Sequence, residues 1–152
     1  MKRYLFFLYM LLLSIGCAEN PLQPPGGIKH GTGSCNLTEG SSLTFTFPGG
    51  DYGEFILEYN NGYVYINATG IIRVSGNRDT APEGQYLTCE LFEWVDEESH
   101  PYYYFLKTDD AIHYAKVRRI GDITKELTIK FEWWLQIEAG NRYLGSQNPV
   151  EM

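Results

Sequence analysis

The stretch from Leu127 to Glu138 (LTIKFEWWLQIE) constrains this chain more than any other. Leu127, Ile129, Phe131, Trp133, Leu135 and Ile137 alternate there with Thr128, Lys130, Glu132, Trp134, Gln136 and Glu138. Strand side chains point to opposite faces with period two, so this pattern predicts one long half-buried strand. A helix would scatter the same apolar residues around its whole circumference. A second constraint is Asn61-Gly62, the favoured centre of a two-residue type I′ turn, in which both positions need positive φ. A turn there pairs Tyr59 with Val64, Leu57 with Ile66 and Phe55 with Ala68 on one face, and Glu58 with Tyr65 on the other. Turn chemistry and hydrophobic pattern independently choose one register, as a hairpin requires.

Shorter alternating runs fall at Leu43–Phe47, Gly70–Val74, Tyr86–Val95, Tyr102–Thr108, Ile112–Arg119 and Arg142–Leu144, separated by Gly, Pro, Asn and Asp. In Tyr86–Val95 the alternation slips between Leu91 and Phe92, the mark of a bulge. Eight or nine short strands without a helix predict an all-β fold, an antiparallel β-sandwich of about eight strands. The sequential hairpins make a lipocalin-like up-and-down β-barrel the alternative.

The chain has 152 residues, enough for one domain. Its 12 Lys and Arg against 19 Asp and Glu give a net charge of −7, which argues against a nucleic-acid partner, since phosphate contacts need clustered positive charge. The first sixteen residues read as an address. Lys2 and Arg3 are followed by the apolar run Tyr4–Leu13 and then by Ser14-Ile15-Gly16, the three-part pattern of a secretory signal. A membrane-spanning helix needs about 18 or more apolar residues, and this run stops short of that.

The ending Leu13-Ser14-Ile15-Gly16-Cys17 resembles the lipobox of bacterial lipoproteins, with Ser14 where that family usually carries Leu, Val or Ile. The resemblance implies cleavage before Cys17 and acylation of Cys17, which would anchor the chain to a membrane. Ala18 after the cysteine is similar to an outer-membrane sorting signal, so the expected location is the cell envelope, facing the periplasm or the cell surface. Loss of Lys2 and Arg3 with the signal takes the net charge from −7 to −9. Residues 17–34, rich in Pro and Gly, read as the lipidated cysteine and a flexible tether. Residues 35–144 read as the β-domain and 145–152 as a tail. With Cys17 assigned to lipid, Cys35 and Cys89 remain as an even pair in an oxidising compartment, and a disulfide between them is expected.

No catalytic constellation stands out. There is no phosphate-binding Gly-rich loop and no Gly-x-Ser-x-Gly elbow. His30, His100 and His113 are scattered, and no cysteine has a partner at metal-ligand spacing. Asp96-Glu97-Glu98 lacks the alternating carboxylates of a calcium loop and reads as a solvated turn. The expectation is therefore a non-enzymatic binding module without metal or cofactor. Its candidate contacts are the aromatics with polar neighbours: Trp134, Tyr63, Tyr65, Tyr102 and Tyr104. Such rings suit a protein interface or stacking on a glycan, or they are core beneath a second layer. Ser75-Gly76-Asn77-Arg78 is similar to the Ser-Gly-x-Arg loop of periplasmic lysozyme inhibitors, with Asp79 where that family carries an aromatic residue. That resemblance implies a hydrolase-inhibitor role.

Overall fold

A computed structural model describes residues 27–108, 113–124 and 127–145. The expected signal peptide, Cys17 and the tail from residue 146 onward lie outside the described residues. Eight strands run through the rest: β1 (Ile28–Asn36), β2 (Ser42–Thr46), β3 (Glu54–Asn60), β4 (Tyr63–Ser75), β5 (Leu87–Leu91), β6 (Tyr102–Lys107), β7 (Tyr114–Arg119) and β8 (Thr128–Gln136). Every pairing is antiparallel, along the path β1-β8-β7-β6-β4-β3-β2, with β5 attached to β4. The all-β fold anticipated from the alternation is present, as one sheet curled into a nearly closed barrel.

Two corners produce the curl. At the first, β4 is too long for one neighbour. Tyr65 pairs with Glu58 of β3 and with Leu91 of β5, while Ile71 pairs with Leu106 of β6 and with Leu87 of β5. Because β5 stays along one edge of β4, β3 and β6 follow each other along the opposite edge. The register shift between Asn67 and Ile71 bends β4 between them. The sheet thus folds into two facing halves, β2-β3 and β6-β7-β8-β1, which combine the features of sandwich and barrel.

The second corner is the link from β1 to β2. Leu37 N–H still bonds Leu127 O at 3.1 Å, beside β8, yet Gly40 N–H already bonds Tyr59 O at 2.9 Å, in β3. Three residues span at most about 11 Å. Four strand spacings, the distance from β8 to β3 along a flat sheet, would be about 19 Å. Only a curled sheet lets the chain make this step. The turn is held by Ser41, whose hydroxyl donates to Thr38 O at 2.7 Å and accepts from Thr38 N–H at 2.8 Å.

The hairpin has the expected register at Leu57↔Ile66, Glu58↔Tyr65 and Tyr59↔Val64, and its ladder ends at Ile56↔Asn67, one pair short of Phe55 and Ala68. Asn61 and Gly62 take φ of 51° and 86°, as a type I′ turn demands. The long alternating segment forms β8, with Ile129, Phe131, Trp133 and Leu135 all buried in the interior. Rings from the two halves meet there: Phe45 lies 5.1 Å from Phe131, edge to face, and Phe47 lies 5.8 Å from Trp133.

Two expectations need correction. The tether assigned to residues 17–34 ends earlier, because Ile28–Ser34 belong to β1 and pair with β8. The glycines that suggested a linker make room for rings. A Cβ on Gly31 would lie 2.6 Å from the Trp133 indole, and one on Gly33 would collide with Phe131. The expected Cys35–Cys89 disulfide is also absent, and both residues are free thiols. Cys35 is buried in the interior from β1, whereas Cys89 is exposed on β5. Neither strand neighbours the other, so no bond joins them.

Candidate functional site

The aromatics singled out from sequence do not form one open surface. Tyr104 is fully buried in β6, where its hydroxyl donates to Leu91 O at 2.6 Å and accepts from Glu93 N–H at 2.7 Å. Burial pushes its phenol pKa up, despite the opposing backbone hydrogen bond and the charge of Arg73. It is a staple for the chain after β5. Tyr102 is half-buried with the Arg73 guanidinium 4.8 Å from its ring centre. Tyr65 is half-buried between β3 and β5, and Tyr63 is exposed beside the hairpin turn.

Trp134 points outward from β8 but retains only 8% exposure. His30 stacks on it at 5.0 Å, and Lys116 Nζ sits 4.6 Å from its centre. A strap covers this region, formed where Thr80 bridges to Tyr143, with Leu144 N–H bonded to Asp79 O at 2.6 Å and Ala81 N–H to Arg142 O at 2.8 Å. Ala81, Tyr103, Phe105, Trp134 and Leu144 make a second apolar cluster beneath it. Lys116 is fully buried and donates to Asn77 Oδ1 at 3.0 Å and to Arg78 O at 3.3 Å, so it ties the strap to the sheet. Burial lowers its pKa to about 8, offset in part by Asp79. Trp134 therefore offers no open ring on which a sugar could stack. The Ser75–Arg78 loop is engaged internally as well, with Ser75 Oγ donating to Asp96 at 2.5 Å and Asn77 held by Lys116.

The acidic run Asp96–Glu98 forms a turn rather than a cation site. The Asp96 carboxylate accepts from Ser75 Oγ and from the N–H groups of Glu98 and His100, at 2.5, 2.9 and 2.8 Å. The Ser75 hydrogen bond is the main reason its pKa falls to about 2. No group of three His, Cys, Asp or Glu side chains among the described residues is arranged to hold a metal ion.

What the fold does present is a cleft at one end of the sheet. Phe92 turns inward after β5, its N–H bonded to Val64 O at 2.8 Å, and the chain then bulges outward through Trp94. Tyr102 N–H bonds Trp94 O at 3.0 Å, and Val95 bridges to Pro101, closing the loop before β6. Ile120 follows β7, with its N–H bonded to Lys130 O at 2.8 Å. Trp94 and Ile120, each 41% exposed, face a cleft of about 260 Å³ together with Val95, Pro101, Arg118 and Arg119. Arg118 is held by Glu132 at 2.6 Å and by the Tyr103 hydroxyl at 3.2 Å. Arg119 is buried and donates to Phe92 O and to Asp122 Oδ1, both at 3.0 Å. Burial lowers its pKa, while Asp122 opposes the shift.

This arrangement is an apolar notch walled by two arginines that are held in place by Glu132 and Asp122. It can seat one apolar side chain. Sequence reasoning did not find Trp94 and Ile120. The one signal was the broken alternation after Leu91, which turns the chain out of the sheet just ahead of Trp94.

No protein-family model, curated protein or solved structure matches this chain.

Proposed function

We propose that this chain is a lipid-anchored module of the cell envelope that binds a protein partner through the Trp94–Ile120 cleft and catalyses no reaction. The observation that carries this reading is the meeting of two half-exposed apolar side chains around a notch of about 260 Å³. Pockets for small molecules usually enclose about 300–1,000 Å³, so this volume suits a single anchoring side chain at a protein interface. A partially exposed Trp is among the residue types most enriched at such anchors. The secretory signal and the lipobox-like ending before Cys17 support the membrane address.

Photo-crosslinking in the cells that make the protein tests the cleft. A benzophenone side chain at position 94 or 120 is expected to give the same protein adduct, and one at the exposed position 63 is expected not to. Excess native chain should compete the adduct away, whereas Trp94→Ala should not. Equal adducts at all three positions, or none at 94 and 120, would refute the cleft. Mass spectrometry of the N-terminus should find acylated Cys17, and an intact Met1 or a bare Cys17 would remove the anchor.

A further inference from the structure

The cleft lies at the opposite end of the sheet from the point where the chain enters it. Ile120 N–H bonds Lys130 O near the start of β8, whereas Gly27 O accepts from Ile137 N–H just beyond its end. Positions 130 and 137 are about 23 Å apart along an extended strand. The expected anchor at Cys17 therefore joins the domain at the far end, and the Trp94–Ile120 notch belongs to the other.

Charge around the notch is uneven. Its arginines are each matched, Arg118 by Glu132 at 2.6 Å and Arg119 by Asp122 at 3.0 Å. Arg73 of β4 is matched by Glu93, next to Trp94 in the chain, at 2.8 Å. The loop between Val95 and Pro101, both of which line the cleft, is not balanced in this way. It carries Asp96, Glu97 and Glu98 with neither Lys nor Arg. His100 lies beside two of them, its Nδ1 3.3 Å from Asp96 and 3.6 Å from Glu98. Glu97 and Glu98 are exposed, the Glu98 side chain to 82%. Across the notch, residues 120–124 add Asp122 and no basic residue. The apolar floor is thus rimmed by carboxylates in excess.

We propose that the occupant of this cleft is a basic segment of a partner protein, in which one apolar side chain enters the notch and flanking Lys or Arg residues meet the carboxylates of the 96–98 loop. The proposal rests on the protein-binding reading above and gives it a partner chemistry. Burial of the apolar side chain against Trp94 and Ile120 supplies the anchor, and opposite charge on the rim supplies orientation and a faster encounter. Each exposed charge pair is weak alone, so the loop acts through its carboxylates together, and the attraction fades as salt rises. The same rim repels an acidic segment and the anionic headgroups of a membrane.

The test follows the NMR signals of the Trp94 indole N–H and the Ile120 methyls in the isotope-labelled full chain, purified in detergent. The probes are the peptides Lys-Lys-Leu-Lys-Lys, Gln-Gln-Leu-Gln-Gln, Glu-Glu-Leu-Glu-Glu and Lys-Lys-Gly-Lys-Lys. At low salt the lysine–leucine peptide should bind about tenfold or more tightly than the glutamine peptide, and the glutamate peptide more weakly still. Added sodium chloride should narrow that gap. Glu97→Gln combined with Glu98→Gln, both at exposed positions, should narrow it too and leave the glutamine peptide's affinity unchanged. A glutamine or glutamate peptide that binds as tightly as the lysine one, or an unchanged gap in the double variant, would overturn the basic partner while the cleft itself stands. Equal shifts from the glycine peptide would show attraction without the notch and would also overturn it. No shift at Trp94 or Ile120 with any peptide would overturn the cleft reading and this proposal together.

Discussion

Phe131 and Trp134 sit three residues apart on β8 and are both hidden from solvent, but by different means. Phe131 faces the interior, where strands of the opposite half supply Phe45 and Phe55 at 5.1 and 5.4 Å. Trp134 faces outward and is hidden by His30, by a buried lysine and by a strap without regular structure. The inner face is made by alternation alone, and every strand contributes by the same rule. The outer face is made by polar ties that hold irregular segments against aromatic rings. One sheet therefore carries two cores, of which only the first has a period.

Four measurements test that contrast. Phe131→Ala should have the largest effect, a loss of about 3–5 kcal/mol in denaturant unfolding, because a filled interior cannot collapse around the cavity. A loss below about 1 kcal/mol would mean the inner face is loosely packed.

Lys116 probes the outer core through pH. Its folded pKa of about 8 lies below the ordinary lysine value of 10.5, so between those values the unfolded chain holds a proton that the folded chain lacks. Stability of the native chain should therefore rise with pH across this window, relative to Lys116→Met, by up to roughly 3 kcal/mol. A flat difference would show that the lysine is solvated.

Leu144→Ala should cost about 2 kcal/mol, the low end for a buried leucine, since an irregular strap can settle into the gap. A cost equal to that of Phe131→Ala would erase the distinction between the two faces. Trp94→Ala should change stability by about 0.5 kcal/mol or less, because its side chain is half in solvent. A larger loss would assign Trp94 to the fold instead of to the cleft.

The same contrast explains what could be read from the sequence. The β8 alternation and the Asn61-Gly62 hairpin were legible because local geometry and burial impose one pattern on neighbouring residues. Strand β1 was hidden by its glycines. Gly31 and Gly33 resemble linker residues until Trp133 and Phe131, about a hundred positions away, are seen to lie across them. The outward burial of Trp134 was equally illegible, since residues 76–84 and 138–145 carry no period to announce that they cover a sheet. For the cleft, Trp94 and Ile120 come from two different loops, and nothing local links them. Tyr104 reads as an aromatic among aromatics, and only the geometry shows its hydroxyl fastening the loop behind β5.

The step from β1 into β2 has a consequence for how the molecule assembles in time. Residues 37–40 hand the chain from β8 to β3, so the barrel closes only when the first strand and the last have met. Synthesis delivers β1 first and β8 last, and the sequence separation of that ladder is the longest in the fold. Hairpins such as β3–β4 can form on the microsecond scale, whereas contacts of such long range are slow because loop closure must come first. A glycine-rich strand with little β-propensity suits a segment that must wait unpaired. It offers neighbouring chains little to stick to until its own partner arrives.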